Sequence, residues 1–521
     1  MDLSYPMLLF SGERAYKRWR GSDEKLYSET GGDINIRHIT NYICQKIDSE
    51  FPGYYILRPN FDRETAELRA EVFGELYEDE KKRQSLLEFM PLFTRIKKSK
   101  QESFDAKNTH QKQHHLLEAV CGYRDCVEKL YDMTKDFKSR FFIRMTARLK
   151  QIIFSDRYAK MTQDASDLSK KSAGLLDMSL CFDCREQIAR LDPSAEADED
   201  CIYQKITSIC ASQLGLEIKT EFSIVNPNSI SSFEEDIIKV LNARSPEFFS
   251  ELADFYEKYI SVDFYEITEI KHQLSFYLGY IAFVKEMESK GYAFCLPVPN
   301  SDGSFCLKNA YDLSLALKRD NFGEIVSNDI SMTRGAMFVL SGPNQGGKTT
   351  FIRSIAINII LASSGCFAAA QVCEIFGFDN LFTHFNRTET IGKGGRLEEE
   401  IGRISALLPK LTKNSFVLFN ECFASTRRVD GVRLAVKLLD KLDEIGCTGG
   451  FVTHYYEIPE QNEKVVSLVA GITSSGGKND IRTYKITRRP PGKTAYARSI
   501  AEECRVTFEQ LSEVIENHEK I

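Results

Sequence analysis

The chain has 521 residues, too many for a single hydrophobic core, and at roughly 150 residues per domain its length predicts about three domains. Its composition, 42% hydrophobic and 27% charged, is typical of a water-soluble protein, and no apolar run approaches the roughly 18 residues that a membrane helix needs. The net charge of -7 excludes bulk attraction to polyanions, so any contact with nucleic acid must come from local basic patches.

The 14 cysteines are spread along the chain without the spacing of a disulfide framework, which predicts a reducing, cytoplasmic compartment. The closest pair, Cys181 and Cys184, lies in CFDC. No second CxxC and no paired histidines accompany it, so the pattern leaves structural zinc open but favours free thiols.

The first part of the chain is predicted to be mainly helical. After a short N-terminal segment at residues 1–50, apolar residues recur at spacings of three and four through most of residues 51–290. The helical pattern that begins near Phe61 has Asp62 as its N-cap. The acidic stretch DPSAEADED at 192–200 predicts a surface loop, and residues 211–227 alternate only weakly.

The character of the chain changes after Gly291. Short apolar segments, AMFVLSG, SFVLFNE and GGFVTHY, alternate with helical stretches, which predicts a mostly parallel α/β sheet with its ligand at the carboxyl ends of the strands. The chain is therefore predicted to combine a helical part with an α/β nucleotide domain at residues 291–475. Residues 476–521 are predicted to add a C-terminal strand and helical tail to that domain.

The strongest motif is GPNQGGKT at 342–349, which matches GxxxxGK[ST] between an apolar strand and a helix. In such a loop backbone N–H groups surround phosphates, the lysine reaches the β- and γ-phosphate oxygens, and the final hydroxyl ligates Mg²⁺. These last two roles fall to Lys348 and Thr349. The other nucleotide-binding candidates are Gly342, Pro343, Asn344, Gln345, Gly346, Gly347 and Thr350.

A second apolar strand, in SFVLFNEC at 415–422, ends with Asn420 and Glu421. In P-loop proteins a strand-end carboxylate holds Mg²⁺, and a following glutamate can orient the attacking water. Glu421 suits the second role. Asn420 keeps an acceptor oxygen for the metal without the charge, so it is expected to hold Mg²⁺ less strongly. His454 follows the strand in GGFVTHY, where its side chain is placed to sense the terminal phosphate.

Together these motifs resemble the ATPase domain of the MutS family of DNA mismatch-repair ATPases, a branch of the ABC-type ATPases. GPNQGGKTTFIR is similar to the family's phosphate loop, SFVLFNECFASTRRVDG to its Walker B strand and D-loop, and FVTHYYEIP to its switch-histidine strand. AAAQVCEIFGFDNLFTHFNRTE resembles the region of its Q-loop, and YYILRPNFDRETAELRAEVFGEL more weakly resembles the entry to its helical core. The resemblance implies a helical core and lever or clamp region followed by an ABC-type P-loop ATPase domain.

The resemblance further implies an ATPase that uses ATP and Mg²⁺, with Gln371 as the Q-loop residue, Glu421 as the catalytic carboxylate and His454 as the switch histidine. The family works as dimers in which the partner's signature segment touches each ATP. Gapless counting places that segment on IGKGGRLEEEIGRI, with Gly394 and Gly395 at its signature positions.

Three departures from the family pattern bear on turnover. Asn420 replaces an aspartate, Gly395 replaces the signature serine, and the D-loop GTST becomes STRR with Arg427 and Arg428. A glycine still offers its backbone N–H to a phosphate, and an arginine can supply charge across a dimer. The site shared between the two protomers is therefore expected to be retained with different contacts. The alternative is that the protein is an ATP-binding switch with slow turnover.

Two parts of the family's larger members find no match in the sequence. The mismatch-reading domain, of order one hundred residues with a Phe-x-Glu wedge, has no counterpart before the helical region. The helical tail leaves no room for the Smr nuclease domain of the second bacterial subfamily. Mismatch reading by the family's usual route is therefore not expected.

Arg140, Arg144 and Arg148 recur every four residues, so on a helix they form one basic stripe. Such a stripe can contact DNA phosphates without reading sequence, or it can be an ordinary solvated helix face. The residues alone slightly favour the solvated face. The resemblance to a family whose helical arms clamp DNA makes the two alternatives about equal. A second basic cluster, TYKITRRPPGKTAYAR at 483–498, is expected to serve structure or dimer contact.

The sequence thus predicts a cytoplasmic, homodimeric ATPase whose ATP binding and hydrolysis switch a clamp on DNA. The sequence leaves open whether this DNA is mismatched, branched or non-specific in structure, and repair proteins are further expected partners. The alternative is a slowly hydrolysing, nucleotide-dependent interaction module that acts on protein or ribosomal RNA.

Overall fold

The computed structural model describes most of the chain in two compact units. The described residues are 8–22, 24–176, 179–183, 188–192, 238, 241–243, 245–301, 303–385, 395–461, 464–474, 480–490, 507–508 and 512. Unit 1 comprises Met1–Arg83, Ser139–Phe141 and His272–Ile521, and unit 2 comprises Gln84–Lys138 and Phe142–Lys271.

Helices dominate the chain up to Ser289. They are α1 (Glu13–Arg20), α2 (Glu24–Ile34), α3 (Ile36–Lys46), α4 (Tyr54–Leu57), α5 (Arg63–Glu78), α6 (Glu80–Asp105), α7 (Thr109–Thr134), α8 (Arg140–Ile153), α9 (Asp156–Leu176), α10 (Pro246–Tyr259) and α11 (Tyr265–Ser289). A two-stranded antiparallel hairpin, β1 (Ser179–Asp183) with β2 (Ile188–Asp192), interrupts them, so this stretch departs from the predicted helical pattern.

The start of α5 follows the sequence prediction. The Asp62 carboxylate accepts a hydrogen bond from the backbone N–H of Thr65 at 2.9 Å, as an N-cap does. The helical pattern is broken once, at Asp79, which has an extended backbone and accepts from the N–H of Lys82 at 3.0 Å. Asp79 therefore ends one helix and caps the next, because its short side chain competes for backbone N–H groups.

Unit 2 is a helical bundle. Helices α7, α9 and α10 pack against one another, and Asn108 caps α7 by accepting from the N–H groups of His110 and Gln111. Tyr123 stacks on Phe264 with ring centroids 4.8 Å apart in its apolar interior. The apolar stripes that repeat at three and four spacings thus form the core of this unit.

Unit 1 contains two further sheets and the helices that flank them. The strands are β3 (Val298–Pro299), β4 (Ser304–Ala310), β5 (Asn328–Thr333), β6 (Met337–Ser341), β7 (Val372–Ile375), β8 (Asn380–Phe385), β9 (Ser415–Asn420), β10 (Thr448–Val452), β11 (Val466–Ser474) and β12 (Asp480–Arg488). The helices among them are α12 (Leu313–Ala316), α13 (Lys348–Ser363), α14 (Arg396–Leu407), α15 (Arg428–Ile445) and α16 (Glu457–Gln461).

The larger sheet has six strands in the order β12-β11-β6-β10-β9-β8. Strands β8, β9, β10, β6 and β11 run parallel to their neighbours, and β12 pairs antiparallel with β11 at the edge. The smaller sheet has the order β3-β7-β4-β5 and is mixed, with β4 antiparallel to both of its neighbours. The three predicted apolar strands are therefore confirmed as β6, β9 and β10.

Both faces of the larger sheet are covered, which explains why its strands are apolar without alternation. Every residue of β9 is buried. Val417 and Phe419 pack with Leu438 and Leu442 of α15 in one core cluster. On β9 Phe416 instead contacts Phe378, with ring centroids 5.0 Å apart. Helix α13 is buried along most of its length and contacts strands of both sheets.

Arg69 joins α5 to the α/β part of unit 1 through a fully buried guanidinium group. Its Nε donates to the carbonyl of Leu9 at 3.1 Å, and its Nη1 donates to the carbonyl of Ser364, just after α13, at 3.4 Å. The guanidinium carbon also lies 5.0 Å from the ring centroid of Phe10. Burial lowers the pKa of Arg69. These contacts hold the C-terminal end of α13, whose N-terminal end forms the candidate site.

The helical part followed by α/β sheets confirms the predicted order of structural classes. The loop predicted at 192–200 lies outside the described residues except for Asp192, and the segment 211–227 lies wholly outside them. Of the predicted helical tail, only Thr507, Phe508 and Ser512 are described. The described cysteine side chains are free thiols, and CFDC is not among them. Within the described part of the chain, every helix is too short or too polar to cross a bilayer.

Candidate functional site

The glycine-rich loop joins β6 to α13, as its motif predicts. Gly342 has a φ of +140° and Gly347 a φ of +88°, both in the region that favours glycine. A Cβ on Gly342 would lie 2.7 Å from the Cβ of Ala470 on β11, so no larger residue fits there. Gly347 is the N-cap of α13, and the first N–H groups of that helix face the loop opening. Such a loop can bind an anion through backbone N–H groups.

Lys348 is buried at the base of this loop. Its Nζ donates to the carbonyls of Gly342 at 3.1 Å and Pro343 at 2.9 Å. Burial lowers the pKa of Lys348, and the negative charge of Glu421 opposes that shift. The ammonium group therefore lies within the loop, on the side where Glu421 approaches it.

Three parallel strands end at the same edge of the sheet beside the loop. In the register of the sheet Leu340 of β6 pairs with Val452 of β10, and Val452 pairs with Asn420 of β9. Glu421 directly follows Asn420, and His454 lies two residues after Val452. The two side chains are thus brought together even though 33 positions of sequence separate them. His454 Nε2 lies 2.8 Å from Glu421 Oε1.

The contact with His454 lowers the pKa of Glu421, first through the hydrogen bond and then through the charge of the imidazole, while burial acts in the opposite direction. Both side chains are about one-third exposed, so solvent screens the pair. Glu421 also has a φ of +56°, an uncommon conformation for a residue other than glycine. The turn after β9 thus presents an ionised carboxylate at the loop.

Asn420 lies at the buried end of β9, and its Oδ1 has no hydrogen-bond partner among the described residues. A buried acceptor without a partner is costly, so its presence beside a phosphate loop fits a site where a cation or its water completes the bonding. Thr349, in the first turn of α13, supplies a partly exposed hydroxyl on the same loop. The donor set of hydroxyl, amide and carboxylate oxygens suits Mg²⁺.

A cavity of about 400 Å³ opens in front of the loop. Of the predicted site residues, Glu421 and those from Asn344 to Thr350 line it. Asn420, His454 and Gln371 do not line the cavity, although Asn420 and His454 adjoin Glu421. The nucleotide-binding motifs do not include the other lining residues, among them Tyr311, Asp312, Arg319, Glu324, Asn328 and Tyr484.

Tyr484 reaches this cavity from edge strand β12. Its φ is +56°, and Asn328 fixes this bend by donating to the carbonyl of Tyr484 at 3.1 Å and accepting from the N–H of Ile486 at 2.8 Å. Two residues earlier, Arg482 donates to Gln345 Oε1 at 2.8 Å across 137 positions of sequence. Tyr484, from the basic cluster assigned to structure or dimer contact, therefore lines the cavity, and Arg482, just before that cluster, contacts the loop. The composition of the cluster carries no signal of these contacts.

Gln371 immediately precedes β7 and has an exposed side chain. Its Oε1 accepts a hydrogen bond from Asn309 Nδ2 at 2.7 Å, and its N–H donates to the carbonyl of Lys308 at 2.9 Å. Gln371 does not line the cavity, and its role as the Q-loop residue stays a prediction.

The signature segment is described only from Gly395 onwards, and Gly394 lies outside the described residues. Gly395 is the N-cap of α14, and a Cβ built on it would meet no atom within 4 Å. In the D-loop, Arg428 pairs with Glu457 at 2.7 Å and lies over the ring of Tyr456. The roles of both segments across a dimer stay predictions.

The basic stripe of α8 is partly engaged by acidic residues. Arg140 pairs with Glu71 at 2.8 Å, and Arg148 pairs with Glu266 at the same distance. All three arginines of the stripe, Arg140, Arg144 and Arg148, are half-buried. The carboxylates offset part of the positive charge that the spacing alone suggested, and contact of this stripe with DNA stays a prediction.

Comparison with known proteins identifies one family. Residues 338–509 match the family model described as MutS domain V. A DNA mismatch repair protein MutS of Lactobacillus delbrueckii subsp. bulgaricus is 27% identical over 250 residues, which cover 47% of this chain and 29% of that protein. Proteins of the same name from Thermosipho melanesiensis and Rhizobium meliloti are 34% and 32% identical over 31% and 29% of this chain. The matches span less than a third of the length of these curated relatives.

Proposed function

Because the chain belongs to the MutS family, we propose that its α/β part is an ABC-type P-loop ATPase domain that binds ATP with Mg²⁺ and hydrolyses it. The observation that carries the proposal is the convergence of three strand ends. The loop after β6, Glu421 after β9 and His454 after β10 meet at one edge of the sheet, beside the cavity. Ligands of open α/β sheets bind at this edge.

Each residue then has a role that its position supports. The backbone N–H groups of the loop and of the first turn of α13 hold the phosphates, and Lys348 exchanges its two carbonyl partners for phosphate oxygens. Thr349 and Asn420 would hold Mg²⁺, which supplies charge neutralisation for phosphoryl transfer when it is bound.

Glu421 accepts a proton or a hydrogen bond from the attacking water, and His454 keeps that carboxylate ionised and oriented. His454 is also placed to change partners when a terminal phosphate is present. Because Asn420 lacks a formal charge, we propose that turnover depends steeply on the Mg²⁺ concentration.

We extend the proposal to the assembly from the names of the relatives, which are DNA mismatch repair proteins. The protein acts as a homodimer in which Gly394 and Gly395 of each protomer contact the nucleotide of the other. Residues 51–290 form the helical core and the lever or clamp region. ATP binding and hydrolysis switch this clamp on DNA.

The ion pairs of Arg140 and Arg148 favour a second candidate function. If these arginines are committed to Glu71 and Glu266, the helical part has less charge to offer to DNA phosphates. The chain would then be a slowly hydrolysing, nucleotide-dependent interaction module that acts on protein. The same ion pairs disfavour ribosomal RNA, because its phosphates need the same positive charge.

ATP turnover by the purified chain, measured with no DNA and with matched, mismatched or branched duplexes, tests the proposal. We expect turnover that Lys348→Ala abolishes and that at least one DNA form stimulates. Absence of turnover in the parent protein at saturating Mg²⁺ would contradict the ATPase assignment.

Salt-dependent DNA binding separates the two candidate functions. The triple alanine variant of Arg140, Arg144 and Arg148 should lose affinity and show a smaller salt slope. The matched control is the triple alanine variant of Arg433, Lys437 and Lys441, which repeat at the same spacing on the exposed face of α15. Failure of the parent protein to bind any duplex at low salt would favour the interaction module.

A further inference from the structure

Three side chains with different metal-binding atoms meet in a buried cluster behind the nucleotide site. They are His384 on β8, Glu400 on α14 and Cys422 in the turn after β9. All three residues are buried, and none has an exposed fraction above 7%. One ligand atom from each lies within 4.8 Å of the others, and His384 Nε2 is 3.6 Å from Glu400 Oε1. The proposed ATPase mechanism uses none of these residues.

The composition of the cluster is that of a transition-metal site. Imidazole nitrogen, carboxylate oxygen and thiolate sulfur are the three ligand types of protein zinc sites, and three protein ligands leave one position open. With metal–ligand bonds of about 2.0–2.3 Å, the ligand atoms of a tetrahedral site lie about 3.3–3.8 Å apart. The observed separations need only side-chain adjustments of an ångström or so to reach those values.

The charges of the cluster also match a divalent ion. A carboxylate and a thiolate together carry two negative charges, and a neutral imidazole adds none. A divalent cation therefore makes the site neutral, which suits its burial because an unpaired charge would be costly there. Arg403, one turn beyond Glu400 on α14, is a further charged group near the thiol.

We propose that His384, Glu400 and Cys422 form a binding site for a divalent transition-metal ion of the Zn²⁺ class. Binding forms a metal–sulfur bond at Cys422 Sγ, and the thiol proton leaves to solvent. This site goes beyond the proposed ATPase function and does not depend on it.

The position of the site gives the ion a structural role. Cys422 stands between Glu421 and Phe423, which have φ values of +56° and +63°. Glu400 already holds this strained turn by accepting from the N–H of Phe423 at 3.0 Å. An ion bonded to Cys422 and Glu400 would fix the same turn from two sides, and with it the carboxylate of Glu421.

Cobalt binding tests the site without any reference to ATP turnover. The purified chain is stripped of metal with a chelator and titrated with Co²⁺ under anaerobic conditions without thiol reductants. We expect saturation at one equivalent, a near-ultraviolet thiolate-to-cobalt absorption band, visible bands of four-coordinate cobalt, and loss of these bands when Zn²⁺ is added.

Matched variants assign the ligands. Cys422→Ser should abolish the thiolate band, and Glu400→Gln should weaken Co²⁺ binding by roughly a hundredfold or more. Cys447→Ser, at a buried free thiol in the same core cluster, and Cys181→Ser, in CFDC, should leave the spectrum unchanged.

The site would be refuted if the parent protein showed no thiolate band at any Co²⁺ concentration, or if the band survived in Cys422→Ser. Loss of the band in Cys181→Ser with retention in Cys422→Ser would place the metal at CFDC instead. The parent titration needs no variant, so the test holds even if a ligand substitution prevents folding. Since Co²⁺ absorption is independent of ATP hydrolysis, its failure would leave the ATPase proposal standing.

Discussion

The substitution Asn420→Asp tests whether the side chain at the buried end of β9 contributes to Mg²⁺ binding. Asn420 Oδ1 has no partner among the described residues, and the residue is 8% exposed. Aspartate has nearly the same shape but adds a negative charge. We therefore expect the variant to reach half-maximal ATP turnover at a lower Mg²⁺ concentration than the parent protein.

The size of the effect follows from Coulomb's law. A carboxylate that acts on Mg²⁺ through a water lies about 4 Å away, where a pair of unit charges is worth about 1 kcal/mol at the dielectric constant of water. The double charge of the ion raises this to about 2 kcal/mol, and desolvation of the carboxylate takes back part of it. A net gain of about 1–2 kcal/mol corresponds to a roughly five- to thirty-fold lower Mg²⁺ requirement.

The assay is ATP turnover at fixed, saturating ATP over a series of Mg²⁺ concentrations. Asn414→Asp is the matched control, because Asn414 lies just before the other end of β9 and its Oδ1 is likewise buried with no partner among the described residues. It should leave the Mg²⁺ dependence unchanged. An unchanged Mg²⁺ dependence in Asn420→Asp would refute the reasoning and would mean that Asn420 does not face the metal.

Three more substitutions probe the site and its sheet. His454→Asn removes the contact that lowers the pKa of Glu421, so the acid limb of the pH–turnover profile should move to higher pH. Gly450→Ala places a Cβ 2.0 Å from the ring of Phe338, so urea denaturation should show a loss of about 1–3 kcal/mol in the free energy of unfolding. Tyr484→Ala removes a ring from the wall of the cavity, so calorimetry should show roughly tenfold weaker ATP binding.

Two of these substitutions have matched controls, and the third has an outcome that would contradict it. Gly402→Ala, at an exposed position of α14 where a Cβ meets nothing within 4 Å, should stabilise the protein slightly, and a similar loss at both glycines would contradict the clash. Tyr484→Phe should keep ATP affinity within about threefold of the parent value. An acid limb that stays in place in His454→Asn would mean that Glu421 is not the titrating group.

The sign of the Glu421 effect also bears on stability. Its pKa is lowered from an ordinary value of 4.5 in the folded protein, so its contact with His454 contributes stability at pH values above 4.5. That contribution is lost as the pH falls through the lowered value. His454→Asn should therefore reduce stability at neutral pH and make little difference in strong acid.

The motifs predicted the strand ends well because local chemistry determines them. A run of buried residues such as β9 forms a strand between two covered faces, and Gly342 and Gly347 of the loop are required by their positive φ values. Since β6, β9 and β10 are parallel neighbours, their C-terminal residues had to meet. The contact between Glu421 and His454 was thus foreseeable from the pattern.

Other features depend on contacts that periodicity cannot show. Tyr484 reaches the loop because Asn328 bends β12, and nothing in the basic cluster around it signals that bend. The arginine spacing of α8 predicted a charged stripe, but the glutamates that neutralise Arg140 and Arg148 come from distant helices. Long-range pairing of this kind is decided by the tertiary fold.

Single-turnover hydrolysis by Glu421→Gln tests the central claim most directly. The claim is that Glu421 activates water at the site built by Lys348 and its loop. We predict that the variant binds ATP about as tightly as the parent protein, while its hydrolysis rate falls by about a hundredfold or more. Equal rates of hydrolysis in the variant and the parent protein would contradict the account.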